Sequence, residues 1–298
     1  LTSVSGGVTT VGGAATVGTL TGGTLNLGAS SVITALNGGS LNIGVGAVVS
    51  VDGGTNAGLV NGMGGLTKVG AATLTLSGAN TFEGAVNVNA GVLNIQNATA
   101  LGTVGGTTTV AAGAALELQG GITVGAEALS LSGSGVSNGG VLRNVSGNNV
   151  YGGAVTLAAA SVINSDAGLL TLGSGITSTD LGVTFGGAGD VTVSGAIALG
   201  NGTLTKAGAG LLTLNGANSY SGATLVSGGS LVAGSGALAN TVSLTVNGAV
   251  LSAVDYNSAA SLSVDGSGFA TVSGAGLSVR AVSNANLGLN SVNFSAST

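Results

Sequence analysis

Proline, cysteine, histidine and tryptophan are all missing from this sequence, and aromatic residues are limited to three tyrosines and four phenylalanines. Without histidine or cysteine, the usual acid–base, thiol and zinc constellations cannot be assembled. Charge is nearly as scarce. Charged residues make up 4% of the chain, against about 25% in an ordinary soluble protein. Four basic residues (Lys68, Arg143, Lys206, Arg280) stand against nine acidic ones, a net charge of −5 that argues against a nucleic-acid partner. So little charge also excludes charge-driven disorder. Mean hydropathy is +0.65, yet no run approaches the ~18 consecutive apolar residues of a spanning helix, so no membrane-spanning segment is expected. Two aromatic girdles of a membrane barrel cannot be built from so few rings.

What is abundant is glycine, 60 residues of it, and repetition. The segment Leu66 to Phe82 returns as Leu204 to Tyr220, a step of 138. A half copy, Asn149 to Leu157, lies midway at a step of 69. Asn80, Asn149 and Asn218 align, as do Phe82, Tyr151 and Tyr220, and Gly84, Gly153 and Gly222. Between the turns, short runs alternate apolar with polar: Thr73 to Leu76, Val86 to Val88, Leu116 to Leu118, Leu129 to Leu131, Val191 to Val193 and Leu262 to Val264. That period belongs to a strand with one buried face. Gly-x-Leu-Asn-Leu/Ile occurs at Gly23 to Leu27, Gly39 to Ile43 and Gly91 to Ile95. Each delivers two inward aliphatics across one outward Asn. No amphipathic helical spacing spans two turns.

Short strands, glycine corners and a fixed register predict an all-β fold, a parallel β-solenoid of about 13 coils spanning 1–298 as one domain. A step of 69 divides into three coils of about 23 residues, and stacking at ~4.8 Å gives a rod of ~60 Å. The absence of proline fits strands with neighbours on both sides. A β-sandwich would have longer strands and no such register, and a silk-like fibre would have simpler sequence. Leu74, Leu76, Val86, Val88, Leu93, Leu212, Leu214, Val226 and Leu231 are expected to point inward. The aligned aromatics read as core or corner residues, with a ligand-stacking stripe as the rival. The aligned asparagines read as turn residues, several coils apart.

The run Gly202 to Leu231 carries Lys206, Gly208, Gly210, Leu212, Leu214, Gly216, Ala217, Asn218, Tyr220, Gly222, Thr224, Val226, Gly229 and Leu231. It resembles the autotransporter-associated β-strand repeat of bacterial type V secretion passengers. The first copy departs at Ala72, Phe82 and Val86. Repeat copies thus lie near 65–95, 149–157 in part, and 202–233. The resemblance implies a right-handed β-helix at the bacterial cell surface or in the extracellular space, and implies no chemistry. No membrane-barrel domain, aromatic-rich cap or signal peptide is recognisable.

The acidic residues Asp52, Glu83, Glu117, Glu127, Asp166, Asp180, Asp190, Asp255 and Asp265 are spread along the chain. Two pairs, Glu117 with Glu127 and Asp180 with Asp190, could meet on neighbouring coils, and a retaining glycosidase requires two carboxyls about 5 Å apart. Solvated surface acids are the plainer reading. Gly186 to Asp190 is a single approach to a calcium-loop motif, and no phosphate-cradling motif occurs. The expectation is therefore no catalytic residue, no cofactor and no metal. Two functions stay open: a structural subunit polymerising head to tail through open coil ends such as Leu1 to Val4 and Val292 to Ser295, or a monomeric passenger adhesin binding a surface glycan. A polysaccharide-acting enzyme and an ice binder are weaker. The latter needs Thr-x-Thr in each coil, and the pairs at Thr73, Thr107 and Thr203 are not so spaced.

Overall fold

A computed structural model describes residues 1–254, 261–265, 269–273 and 293–295. Every strand pairing among them is parallel, and each strand bonds to a strand one coil away. The result is a β-solenoid of about 13 coils. One ladder runs Leu74, Leu93, Leu116, Leu142, Ile163, Phe185, Lys206, Val226, Val246, Val264.

Three faces enclose the lumen. The first includes Gly65–Lys68, Val86–Val88, Thr107–Val110 and Ile176–Thr177. The second includes Thr73–Leu76, Val92–Ile95, Leu204–Lys206 and Thr224–Val226. The third begins with Val8–Val11 to Val60–Gly62 and resumes with Thr123–Val124, Asn149–Tyr151 and Leu211–Leu214. The long strand Val155–Ser165 turns a corner, pairing first with the first face and then with the second.

Alternation decides which side chains meet. All nine aliphatics expected to point inward are buried, none more than 1% exposed. Burying each such side chain stabilises by about 1.5–3 kcal/mol. Corners need glycine for two reasons at once. Gly39 and Gly91 hold φ of 74° and 65°. A Cβ there would also lie 2.9 Å from the Gly22 carbonyl carbon and 2.5 Å from the Gly70 oxygen of the coil below.

Coil length is not uniform, which corrects the expectation of one repeating length throughout. Val8 pairs with Thr24 and Thr24 with Ser40, a step of 16. Val86, Thr108, Leu129 and Val155 are partners in turn, so a step of 69 makes three coils there. Farther on, Tyr151 stacks under Leu172, Val193 and Leu214, three coils in a step of 63. The same step of 69 from Tyr151 therefore overshoots Leu214 and lands on Tyr220, about one face farther round. Hence the first full copy places its strand pairs on the first and second faces, whereas the second copy places them on the second and third. The longest coils surround Ala128–Gly133. Leu116 reaches Leu142 and Leu129 reaches Val155, each a step of 26, and both ladders are bulged, after Leu118 and after Leu131. A 3-10 turn, Val136–Asn138, with positive φ at Ser137 and Asn138, takes up part of that excess.

Candidate functional site

The aligned residues form buried clamps, a correction to the expectation that the asparagines are turn residues. Asn80, Asn149 and Asn218 are 2%, 0% and 4% exposed. Each Oδ1 accepts a backbone N–H: Val60 at 2.9 Å, Ile122 at 2.7 Å and Ile197 at 2.7 Å. Asn80 and Asn218 also donate through Nδ2 to the carbonyls of Ala100 (2.7 Å) and Ala237 (2.8 Å). One amide thus joins three coils where no strand ladder runs. Asn149 instead donates to Asn144 Oδ1 and to the Ser146 carbonyl. An Asn is suited to this because it both accepts and donates.

In the sequence, Lys68 and Lys206 were legible as two of four cations and as aligned positions of the repeat, but not by their partners. Both are buried, and each spends its ammonium on three carbonyls. Lys68 donates to Val69, Gly70 (2.9 Å) and Ala90 (3.1 Å), and Lys206 to Ala207 (3.1 Å), Gly208 (2.7 Å) and Gly228 (3.2 Å). Burial pulls both ammonium pKa values down, and the charges of Asp52 and Asp190 oppose that. Phe82, Tyr151 and Tyr220 lie in the core, at most 1% exposed, so they form no ligand-stacking stripe. The aligned glycines admit no side chain. A Cβ on Gly84, Gly153 or Gly222 would fall 2.4, 1.7 or 2.1 Å from backbone of the coil below.

The carboxylates do not gather. Glu117 faces outward and takes Arg143 Nη1 at 2.9 Å, while Arg143 also meets Asp166 at 2.5 Å. Glu127 points into the lumen, where its Oε1 accepts from Thr108 Oγ1 at 3.1 Å. The two are on opposite sides of the wall and make no pair. Asp180 and Asp190 lie within one coil, because Ile176 reaches Ile197 one coil on and the two acids are only half that step apart. Asp180 accepts from the Asn201 N–H at 2.6 Å and Asp190 from the Leu211 N–H at 2.9 Å. Each carboxylate ties down a backbone group of the next coil. Among the described residues, no three His, Cys, Asp or Glu side chains converge where they could hold a metal ion. No helix there is long and apolar enough to cross a membrane. Asp255 and Arg280 lie outside the described residues, as does Val292 of the expected C-terminal open end.

The outward rows were invisible to spacing. On the first face, Asn87, Thr109, Ser130, Thr156 and Thr177 stack in five successive coils, at steps of 22, 21, 26 and 21. Thr156 and Thr177 share a hydrogen bond between hydroxyls at 3.3 Å. On the third face, Thr171, Thr192 and Thr213 stack in three successive coils. Sequence alone offered only Thr-x-Thr pairs, because the unequal coils hide which threonines become neighbours. Asn26 likewise donates to Thr10 Oγ1 and Asn42 to Asn26 Oδ1, an amide ladder at the N-terminal coils.

A family model, the passenger-associated transport repeat, matches the chain at residues 66–95 and 204–233. The chain carries two copies of that repeat. Both matched stretches contain a lysine cage, an asparagine clamp and a buried aromatic described above. No curated protein and no solved structure matches the chain.

Proposed function

We propose that this chain forms the rod of a bacterial surface passenger, non-enzymatic, with a structural or adhesive role. Two transport repeats on a β-solenoid support an autotransporter-passenger-like surface protein. The observation that carries the non-enzymatic part is the use made of the polar groups. Lys68, Lys206, Asn80, Asn218, Asp180 and Asp190 are each spent on backbone groups of an adjacent coil or corner. The repeat thus contributes cohesion between coils. The test is turnover of a panel of polysaccharides by the purified chain, with Glu117, Asp180 and Asp190 changed to alanine in turn. Unchanged behaviour supports a scaffold. Cleavage that is lost in one variant supports an enzyme.

Adhesion to a neutral glycan is a second reading, favoured by the uncharged row Asn87, Thr109, Ser130, Thr156 and Thr177. Hydroxyls and an amide at strand spacing offer hydrogen bonds without the desolvation cost of charge. Association of copies with one another, end to end, also fits a rod whose net charge of −5 is small and diffuse. Glycan-array binding and electron microscopy of the purified chain separate these: bound sugar with single rods supports the adhesin, and fibres support the subunit.

A further inference from the structure

We propose that Glu127 makes the middle of the stack proton-sensitive: neutral, it lets the coils around Ala128–Gly133 stay closed, and ionised, it places an unpaired charge in the lumen that loosens those coils alone.

The side chain is 2% exposed and inward. Among the described residues, its carboxyl receives one side-chain bond, from Thr108 Oγ1 at 3.1 Å. The Tyr151 hydroxyl in this stretch of lumen is likewise buried, and it has no hydrogen-bond partner among the described residues. The aligned Tyr220 shows what is lacking: its hydroxyl bonds Thr224 Oγ1 at 2.8 Å, whereas Val155 occupies the position four residues after Tyr151. Among the described residues, no cation compensates the carboxylate. The strands Thr107–Val110, Thr123–Val124, Ala128–Gly133 and Val155–Ser165 carry no titratable side chain. Asn149–Tyr151 contributes only Tyr151, whose ionisation is held back by burial first and the Glu127 charge second. Glu117 and Arg143, on the neighbouring strands, face outward and bond each other. Lys68 lies three coils below Leu131 in the same ladder and is occupied by three carbonyls.

The location makes the charge consequential. These coils have the longest steps, and a bulge after Leu118, another after Leu131 and the 3-10 turn interrupt the regular ladder here. Burial pushes the Glu127 carboxyl up to about 7, with the Thr108 bond opposing. Ionisation then falls in the mildly acidic to neutral range.

Hydrogen exchange of the full chain at pH 5 and pH 8.5, corrected for intrinsic rates, tests this. In the wild type, amides of Thr123–Val124, Ala128–Gly133 and Asn149–Tyr151 should lose at least about tenfold in protection at the higher pH, while Thr24–Leu27 and Leu169–Leu172 keep theirs. Glu127→Gln should abolish the response. A response of equal size in that variant, or none in the wild type, overturns the proposal. Should the variant not fold, carbon-13 titration of the wild-type carboxyls decides: an apparent pKa between about 6 and 8 for Glu127 supports it, and one near the ordinary ~4.3 overturns it.

Discussion

Asn218→Ala isolates what the repeat contributes. Asn218 accepts from the Ile197 N–H at 2.7 Å and donates to the Ala237 carbonyl at 2.8 Å, and it is 4% exposed. Alanine reaches neither, and the site is too enclosed for bulk water to replace the amide. Two backbone groups are then left unpaired in the interior, each costing about 1–3 kcal/mol, so the total is roughly 2–6 kcal/mol. Asn215, three residues earlier and exposed, is the control, and its alanine variant should stay within about 0.5 kcal/mol of wild type. A stacked repeat unfolds in parts, so the assay is site-resolved hydrogen exchange beside urea unfolding. Protection should drop in the coils holding Ile197 and Ala237 and persist near Leu25. A loss below about 1 kcal/mol, or one no larger than the control's, refutes the reasoning.

Gly222→Ala should destabilise by about 1–3 kcal/mol or more, because its Cβ would lie 2.1 Å from the Gly202 oxygen. Urea midpoints check this, and Gly12→Ala, where a Cβ meets open space, should be tolerated. Leu214→Asp should open several coils, since an unpaired buried charge costs several kcal/mol, and loss of the strand signal in circular dichroism would report it. Glu127 gives stability a negative slope with pH. Its folded pKa of about 7 exceeds the unfolded value of 4.5, so its share is full below about 4.5 and lost as pH rises through about 7. Glu127→Gln should flatten that slope in urea titrations from pH 4.5 to 8.

Strand type and burial were legible because alternation survives irregular spacing: Leu74, Leu76, Leu212 and Leu214 point inward whatever the coil length. The glycines were legible as corners, although their tight approach to the coil below was not. Coil length itself was hidden. The step of 69 is three coils between Val86 and Val155, and three coils plus a face between Tyr151 and Tyr220. Repetition in sequence therefore did not reveal the rotation between copies. The clamps were hidden for a related reason. Asn218 bonds residues 21 and 19 positions away, and Lys206 adds to two local carbonyls one that lies 22 positions away, and a residue's own neighbours in sequence do not announce such distant partners. Nor does a pattern of outward threonines appear until the register says which of them adjoin.

The register that turns the second repeat copy by one face is best tested by cross-linking, and the chain's lack of cysteine makes the experiment clean. Thr205 stacks on Thr184 in the ladder that also pairs Lys206 with Phe185. Uniform coils, each a third of the step of 69, would instead set it above Gly182. Partner positions on neighbouring strands lie about 4.8 Å apart, within the roughly 4.4–6.8 Å Cα range of a disulfide. Cysteines at positions 184 and 205 should therefore join readily on mild oxidation, and cysteines at 182 and 205 should stay reduced. Ready joining of the second pair with failure of the first would contradict the coil register and, with it, the rotation of the repeat.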